Sequence, residues 1–176
     1  VFHPDGATLY SVGGDGLCIG WDIAKGQERF RTLVSKSPTR AIALSPDARM
    51  IAVGSDDWCI RLLDASTGVI RATLSGAKQH VFGLAFHPAG NLLFSSSRDS
   101  VIQVWDVRVG KEIAVLEGHD GLVLSLAVSP DGLQLASGSS DRTVGVWDLG
   151  YYRKHVTGGS ALWSRSATLA DVPVGR

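Results

Sequence analysis

The sequence predicts an all-β protein in which one unit recurs every 42 residues. Three columns carry that prediction. Stepping back from Trp147 by this period lands on Trp105, Leu63 and Trp21, each followed by an aspartate: Asp148, Asp106, Asp64 and Asp22. The same step from Asp141 gives Asp99, Asp57 and Asp15, and from Pro130 it gives Pro88, Pro46 and Pro4. Three independent columns keeping one period without a gap are not a coincidence. Between them the apolar runs last about five or six residues and end in turns, a strand pattern with no helical period.

The clearest copy is 138–148, GSSDRTVGVWD, which reads as a strand end, a tight turn at Ser140, Asp141 and Arg142, and a short strand closed by Asp148. A period in the low forties with a terminal Trp-Asp resembles the WD-repeat family. The resemblance covers about residues 2–150 and implies a β-propeller of four-stranded antiparallel blades. About four blades would form an open arc or part of a larger propeller, most often seven-bladed in this family. The chain begins in mid-motif at Val1, so the expectation is a fragment whose neighbours are the remaining blades of a parent chain. Repeats occupy 1–150; residues 151–176 lose the pattern and read as a degenerate or truncated fifth repeat.

In order, residues 2–6 end a first strand and turn. Pro fixes φ and Gly accepts positive φ there. The same turn recurs at 45–48, 87–90 and 129–132. Repeat one supplies strands at 8–12, 17–21 and 27–33, the last polar enough for a solvated rim. Repeat two supplies 40–44, 50–54, 58–63 and 69–74. Repeat three supplies 81–86, 92–96, 101–105 and 111–116. Repeat four supplies 123–128, 133–138 and 143–147, with 151–156 as a candidate fourth strand and Trp163 as a candidate start of another inner strand.

Composition narrows the function. Seventeen basic residues balance seventeen acidic ones, which gives no general reason to expect nucleic acid or an anionic membrane as partner. No apolar run reaches the length of a membrane span. Cys18 and Cys59 lie one residue out of phase in equivalent strands, so they face opposite sides of their sheets and read as two buried thiols acting as small apolar residues. That suits a reducing, cytoplasmic compartment. The five histidines show no metal spacing, and Gly13, Gly14, Asp15 and Gly16 join two strands rather than cradling a phosphate. No cofactor is implied.

His119, Ser137, Asp141 and Trp147 invite a hydrolase reading. No Gly-x-Ser-x-Gly elbow is present, however, and the family resemblance implies a structural tetrad, in which Trp donates to Ser, Ser links to His and His to the turn Asp. Such a chain satisfies polar groups that a blade buries. Repeat three keeps Ser95, Asp99 and Trp105 but has Ala77 in the histidine column. Repeat one keeps Ser11, Asp15 and Trp21. Repeat two keeps Asp57 but has Val53 and Leu63, an apolar pair that leaves no orphan. A packing device tolerates such decay; a catalytic site does not.

The favoured function is therefore a non-catalytic scaffold that binds a protein or peptide. The rivals are a regulatory segment of a larger signalling protein and, less favoured, a propeller enzyme. The resemblance implies that the loops entering the inner strands and the turns before the Trp strands share one end. Its exposed positions fall on Gly14; Pro38, Arg40 and Asp56; His80, Phe82 and Arg98; and Leu122, Leu124 and Ser140, with Trp58 at the rim. Aromatics and arginine dominate interface energies, so Phe82 is the expected anchor and Arg98 the expected partner of an acidic group. An arc left open also exposes apolar sheet faces and is expected to self-associate.

Overall fold

The computed structural model describes residues 1–150, together with the backbone of two short strands farther on. Blade one holds β1 (Thr8–Val12), β2 (Leu17–Asp22) and β3 (Gln27–Leu33). Blade two holds β4 (Thr39–Leu44), β5 (Met50–Ser55), β6 (Cys59–Asp64) and β7 (Ile70–Ser75). Blade three holds β8 (Val81–Phe86), β9 (Leu92–Ser97), β10 (Ile102–Asp106) and β11 (Lys111–Leu116). Blade four holds β12 (Val123–Val128), β13 (Gln134–Ser139) and β14 (Val144–Asp148). Neighbouring strands within each blade are antiparallel. The inner strands β4, β8 and β12 stand side by side, so the blades form an open arc. Residues 7–149 contain no helix.

Blade one has three strands, and Val1 to His3 lie alongside β1. Phe2 bridges Leu9, and Val1 and Tyr10 exchange backbone hydrogen bonds of 2.8 and 2.9 Å. The fourth strand of blade four is β16 (Ala167–Leu169), antiparallel to β14. Residues 151–156, expected in that place, lie outside the described residues. Trp163, expected to begin an inner strand, belongs instead to β15 (Ala161–Trp163), which runs parallel to β11 on the outer edge of blade three.

A bulge recurs with the repeat. Thr39 pairs Ser55 while Ala41 pairs Gly54, so Arg40 is an extra residue in β4. Phe82 is the extra residue in β8 and Leu124 in β12. A bulge breaks the alternation of faces and re-aims one side chain. A second series of bulges, in the outer strands, frees Arg29 and Arg71 to reach Asp22 and Asp64, at 3.5 and 3.0 Å.

The turns before the Trp strands need left-handed backbone at their last residue. Gly16 takes it at φ 74°, and its missing Cβ matters, since one would stand 2.0 Å from the Ser35 carbonyl oxygen. Trp58, Ser100 and Arg142 take the same conformation at 66°, 65° and 69°. Trp58 was expected to open a strand; its positive φ places it in the turn, and β6 begins at Cys59.

Apolar side chains pack between successive blades. Tyr10 and Cys18 of blade one meet Ile51, Val53 and Leu63 of blade two. Ala52, Ile60 and Leu62 of blade two meet Phe86, Leu93 and Trp105 of blade three. Phe94, Ile102 and Val104 of blade three meet Leu135 and Trp147 of blade four. Each large side chain so buried contributes about 1.5–3 kcal/mol. Burial pushes the Cys18 thiol up to about 12, so it behaves as a small apolar residue. Cys59 is half-buried rather than buried, and both thiols are free.

Candidate functional site

Antiparallel order sends the loops entering the inner strands and the turns before the Trp strands to the same end of the arc. In blade four that end is closed by a chain of hydrogen bonds. Trp147 Nε1 donates to Ser137 Oγ at 2.9 Å, His119 Nε2 lies 2.7 Å from the same oxygen, and His119 Nδ1 lies 2.7 Å from Asp141 Oδ2. With a neutral imidazole, Ser137 donates to Nε2 and Nδ1–H donates to the carboxylate, so every donor has an acceptor. Burial opposes ionisation of Asp141. Hydrogen bonds from Thr143, His119 and two backbone amides outweigh it and hold the carboxyl far below the usual carboxylate range.

Ser137 is 1% exposed and its hydroxyl is engaged on both sides. That oxygen has no room for a substrate, so the Ser, His and Asp act as a brace.

The other blades close the same end by other means. Blade one keeps the Trp21 Nε1 to Ser11 Oγ bond at 2.8 Å, and Asp15 Oδ1 accepts from the Leu17 amide. Blade three keeps the Trp105 Nε1 to Ser95 Oγ bond at 2.8 Å, and Asp99 accepts from Ser97. With Ala77 in the histidine column, Asp99 Oδ2 has no partner among the described residues, nor do Ser96 Oγ and Gln103 Oε1. Gln103 Nε2 spans part of the gap by donating to the Gly76 carbonyl and to Glu112.

Blade two has an apolar pair, Val53 and Leu63, both fully buried. Its Asp57 is nevertheless well held: Ser35 Oγ donates at 2.8 Å, Ser55 also donates, and Arg61 closes an ion pair at 2.7 Å. Burial works against the charge, yet these bonds bring the carboxyl down to about 2. Ser35 stands in the histidine column, which is the signal that identifies it in the sequence. Nothing in the spacing alone points to Arg61.

The expected surface residues fall into distinct groups at this end. Arg40 donates to Asp56 through Nε and Nη2, at 2.6 and 2.7 Å, and its guanidinium lies 5.9 Å from the Phe82 ring centre. His80 Nδ1 stands 3.1 Å from Asp56 Oδ1, an electrostatic contact rather than an aligned hydrogen bond, and its ring lies 6.5 Å from Phe82. The Arg40 bonds hold the Asp56 carboxyl below its ordinary range, against its partial burial. Blades two and three are thus joined by a polar cluster beside a half-buried aromatic ring.

Trp58 is 49% and Leu124 48% exposed, while Leu122 is half-buried, its carbonyl accepting from the Ser140 amide. Arg98 and Arg142 are exposed at two turn tips, and Ser140 at the rim of the latter. Pro38 is half-buried, its carbonyl taken by the Asp56 amide.

The opposite end has a cleft of about 460 Å³ between blades one and two, lined in part by His3, Asp5, Tyr10, Arg49 and Asp64. Its carboxylates are already engaged: Asp5 accepts from Ala7 and Thr8, and Asp64 from Ser66, Thr67 and Arg71. Among the described residues no cluster of His, Cys, Asp and Glu is arranged to hold a metal ion, and no helix is long and apolar enough to cross a membrane.

Antiparallel blades, four-stranded where complete, in an open arc and each carrying a Trp-Asp strand or its variant, define a propeller-type repeat protein. The WD40 family (WD domain, G-beta repeat) matches residues 28–64, 68–106 and 110–148, and the chain belongs to that family. Each match runs from the outer strand of one blade to the Trp-strand aspartate of the next, or to its counterpart after Leu63. Domains of this family generally serve as protein-interaction scaffolds. No curated protein matches the chain.

Proposed function

We propose that this chain is a non-catalytic scaffold that binds a protein or peptide at the end carrying the inner-strand entry loops. The observation that carries this reading is the recurrent bulge. In three successive blades it lifts one residue, Arg40, Phe82 or Leu124, out of the alternating pattern at the same end. Bulges re-aim side chains in this way beside functional sites. Trp58, held at a left-handed φ that costs a bulky residue about 1 kcal/mol or more, is a half-exposed aromatic in the turn before β6.

Phe82 is the anchor, with Trp58 and Leu124 enlarging the apolar contact. Arg98 pairs an acidic group of the partner, since Arg40 is already committed to Asp56. The opposite end is disfavoured because the carboxylates of its cleft are satisfied within the chain. Two free thiols suit a reducing compartment such as the cytoplasm.

The test is capture of partners from lysate by the wild-type chain and by a Phe82→Ala, Arg98→Glu double variant, with an Asp47→Ala, Asp131→Ala variant at the opposite end as control. Loss of the same partners in the first variant and retention in the second is expected. The reverse pattern would place the binding surface at the other end.

A further inference from the structure

His3 and His87 stand two periods apart in the same turn, at the end opposite the inner-strand entry loops, and they use their rings differently. His87 Nδ1 accepts from the Ala89 amide at 3.0 Å, which leaves Nε2 to donate across the junction to the Gly132 carbonyl of blade four, also at 3.0 Å. That approach needs the glycine, since a Cβ on Gly132 would stand 2.6 Å from His87 Nε2. Two periods back, the Gly132 position holds Ala48 in the same left-handed conformation, at φ 58° against 72°. Its methyl group occupies the space through which His3 would close on blade two. The junction between blades one and two stays open there, and the cleft of about 460 Å³ has both His3 and Ala48 in its lining.

The open junction leaves two donors of the lining unused. His3 Nδ1 accepts from the Asp5 amide at 3.1 Å, and it donates to Asp5 Oδ2, 3.1 Å away, only when the ring is protonated. Nε2 therefore carries hydrogen in either state, and it has no acceptor among the described residues. The Arg49 side chain makes no hydrogen bond or ion pair among the described residues, although its charge acts on Asp47. The other charged groups of the lining are engaged. Arg29 reaches Asp22 at 3.5 Å, Asp64 pairs with Arg71 at 3.0 Å, and Asp5 accepts from the Ala7 and Thr8 amides.

We propose that this cleft binds a small organic monocarboxylate. The carboxylate takes the place that the Gly132 carbonyl fills for His87, accepting from His3 Nε2, and makes a charge-assisted contact with Arg49. The cleft volume falls within the range of roughly 300–1,000 Å³ typical of small-molecule sites. A single negative charge suits the lining. Hydrogen bonds, led by the Ala7 amide for Asp5 and by the Ser66 hydroxyl for Asp64, hold both carboxyls below their ordinary range, so both stay ionised and a dianion meets two like charges. The site lies at the end opposite the partner surface proposed above and is independent of it.

The test is titration of the 176-residue chain with butyrate, butyramide and inorganic phosphate, followed by NMR of the backbone amides and the histidine rings. Butyrate is expected to saturate in the millimolar range, with shifts at 3–8, 48–50 and 64–66 and at the His3 ring. Butyramide, which keeps the shape without the charge, and phosphate are each expected to bind about tenfold more weakly or less well still. Arg49→Gln and His3→Phe are each expected to weaken butyrate by about tenfold. Ala48→Gly is expected to abolish binding while keeping the fold, because it lets His3 close on the carbonyl of residue 48. Circular dichroism and melting check the fold of each variant, and Arg49 is exposed, so Arg49→Gln decides the matter even where His3→Phe unfolds. Butyrate that does not saturate, butyramide that binds as well, or binding unchanged in Arg49→Gln would overturn the proposal. So would phosphate bound in preference to butyrate, or a folded Ala48→Gly variant that binds like the wild type.

Discussion

His119 Nδ1 and Asp141 Oδ2 meet at 2.7 Å, and one repeat earlier the matching Asp99 Oδ2 has no partner among the described residues because Ala77 fills the histidine column. The same turn is thus braced in blade four and left partly unbraced in blade three. Since burying an unpaired polar atom costs more than a neutral hydrogen bond contributes, the difference has measurable consequences.

His119→Ala leaves Asp141 Oδ2 and Ser137 without their imidazole partner and is expected to destabilise the chain by about 1–3 kcal/mol. Trp147→Phe removes the indole donor and opens a void, with a loss of similar size. Urea unfolding followed by tryptophan fluorescence and by circular dichroism measures both. An unchanged midpoint for His119→Ala would mean that the brace carries no load.

Ala77→His is expected to act in the opposite direction. It offers Asp99 Oδ2 the donor it lacks, and gains up to about 1 kcal/mol if the imidazole reaches the turn as His119 does. Ala77 is 6% exposed, so the ring displaces neighbours unless it follows the His119 path. A rise in Tm for Ala77→His that disappears in Ala77→His, Asp99→Asn assigns the gain to this pair.

The Pro turns make a backbone prediction. Gly6, Gly90 and Gly132 take left-handed φ of 67°, 76° and 72°, and Ala48 takes 58° at the same position. Ala48→Gly relieves that strain and is expected to raise stability by about 0.5–1 kcal/mol, less the entropy glycine adds to the unfolded chain. Gly16→Ala does the reverse, driving a Cβ into the Ser35 carbonyl, and is expected to unfold blade one locally. Amide exchange across residues 8–22 reads the second effect directly.

Acid stability tests the blade-two network. The Asp57 carboxyl falls from an ordinary value near 4 to about 2 on folding. A depressed carboxylate contributes stability that is complete above its unfolded value and lost as pH falls through its folded value. The expected loss lies between about pH 4 and pH 2. Asp57→Asn should flatten that part of the stability curve relative to wild type while lowering stability at neutral pH. Parallel curves for the two proteins would show that Ser35, Ser55 and Arg61 do not hold the charge.

The repeat, the strands and the turns were legible in the sequence because they rest on local chemistry. Pro46, Gly132 and Asp141 each serve their own turn wherever the blade goes. The bulges at Arg40, Phe82 and Leu124 were not legible, since a bulge is a property of two paired strands. Reading the columns still placed those three residues on the candidate surface, by resemblance and not by geometry. The pairing of Arg40 with Asp56 was missed for a similar reason: sixteen residues separate them, and only the hairpin brings them together. Blade two shows the limit most clearly. Val53 and Leu63 pointed to a blade without a polar brace, yet Asp57 found three side-chain partners in Ser35, Ser55 and Arg61. The place of 167–169 beside β14 had no sequence signal in register with the repeat.

The central claim is that the inner-strand entry end carries the partner contact. The most direct measurement is hydrogen exchange on the wild-type chain with and without a captured partner, read by peptide along all four blades. Added protection is expected at 35–40, 55–58, 79–82, 97–100 and 120–124, with the opposite turns at 45–49, 87–91 and 129–133 unchanged. Protection confined to those opposite turns would contradict the account.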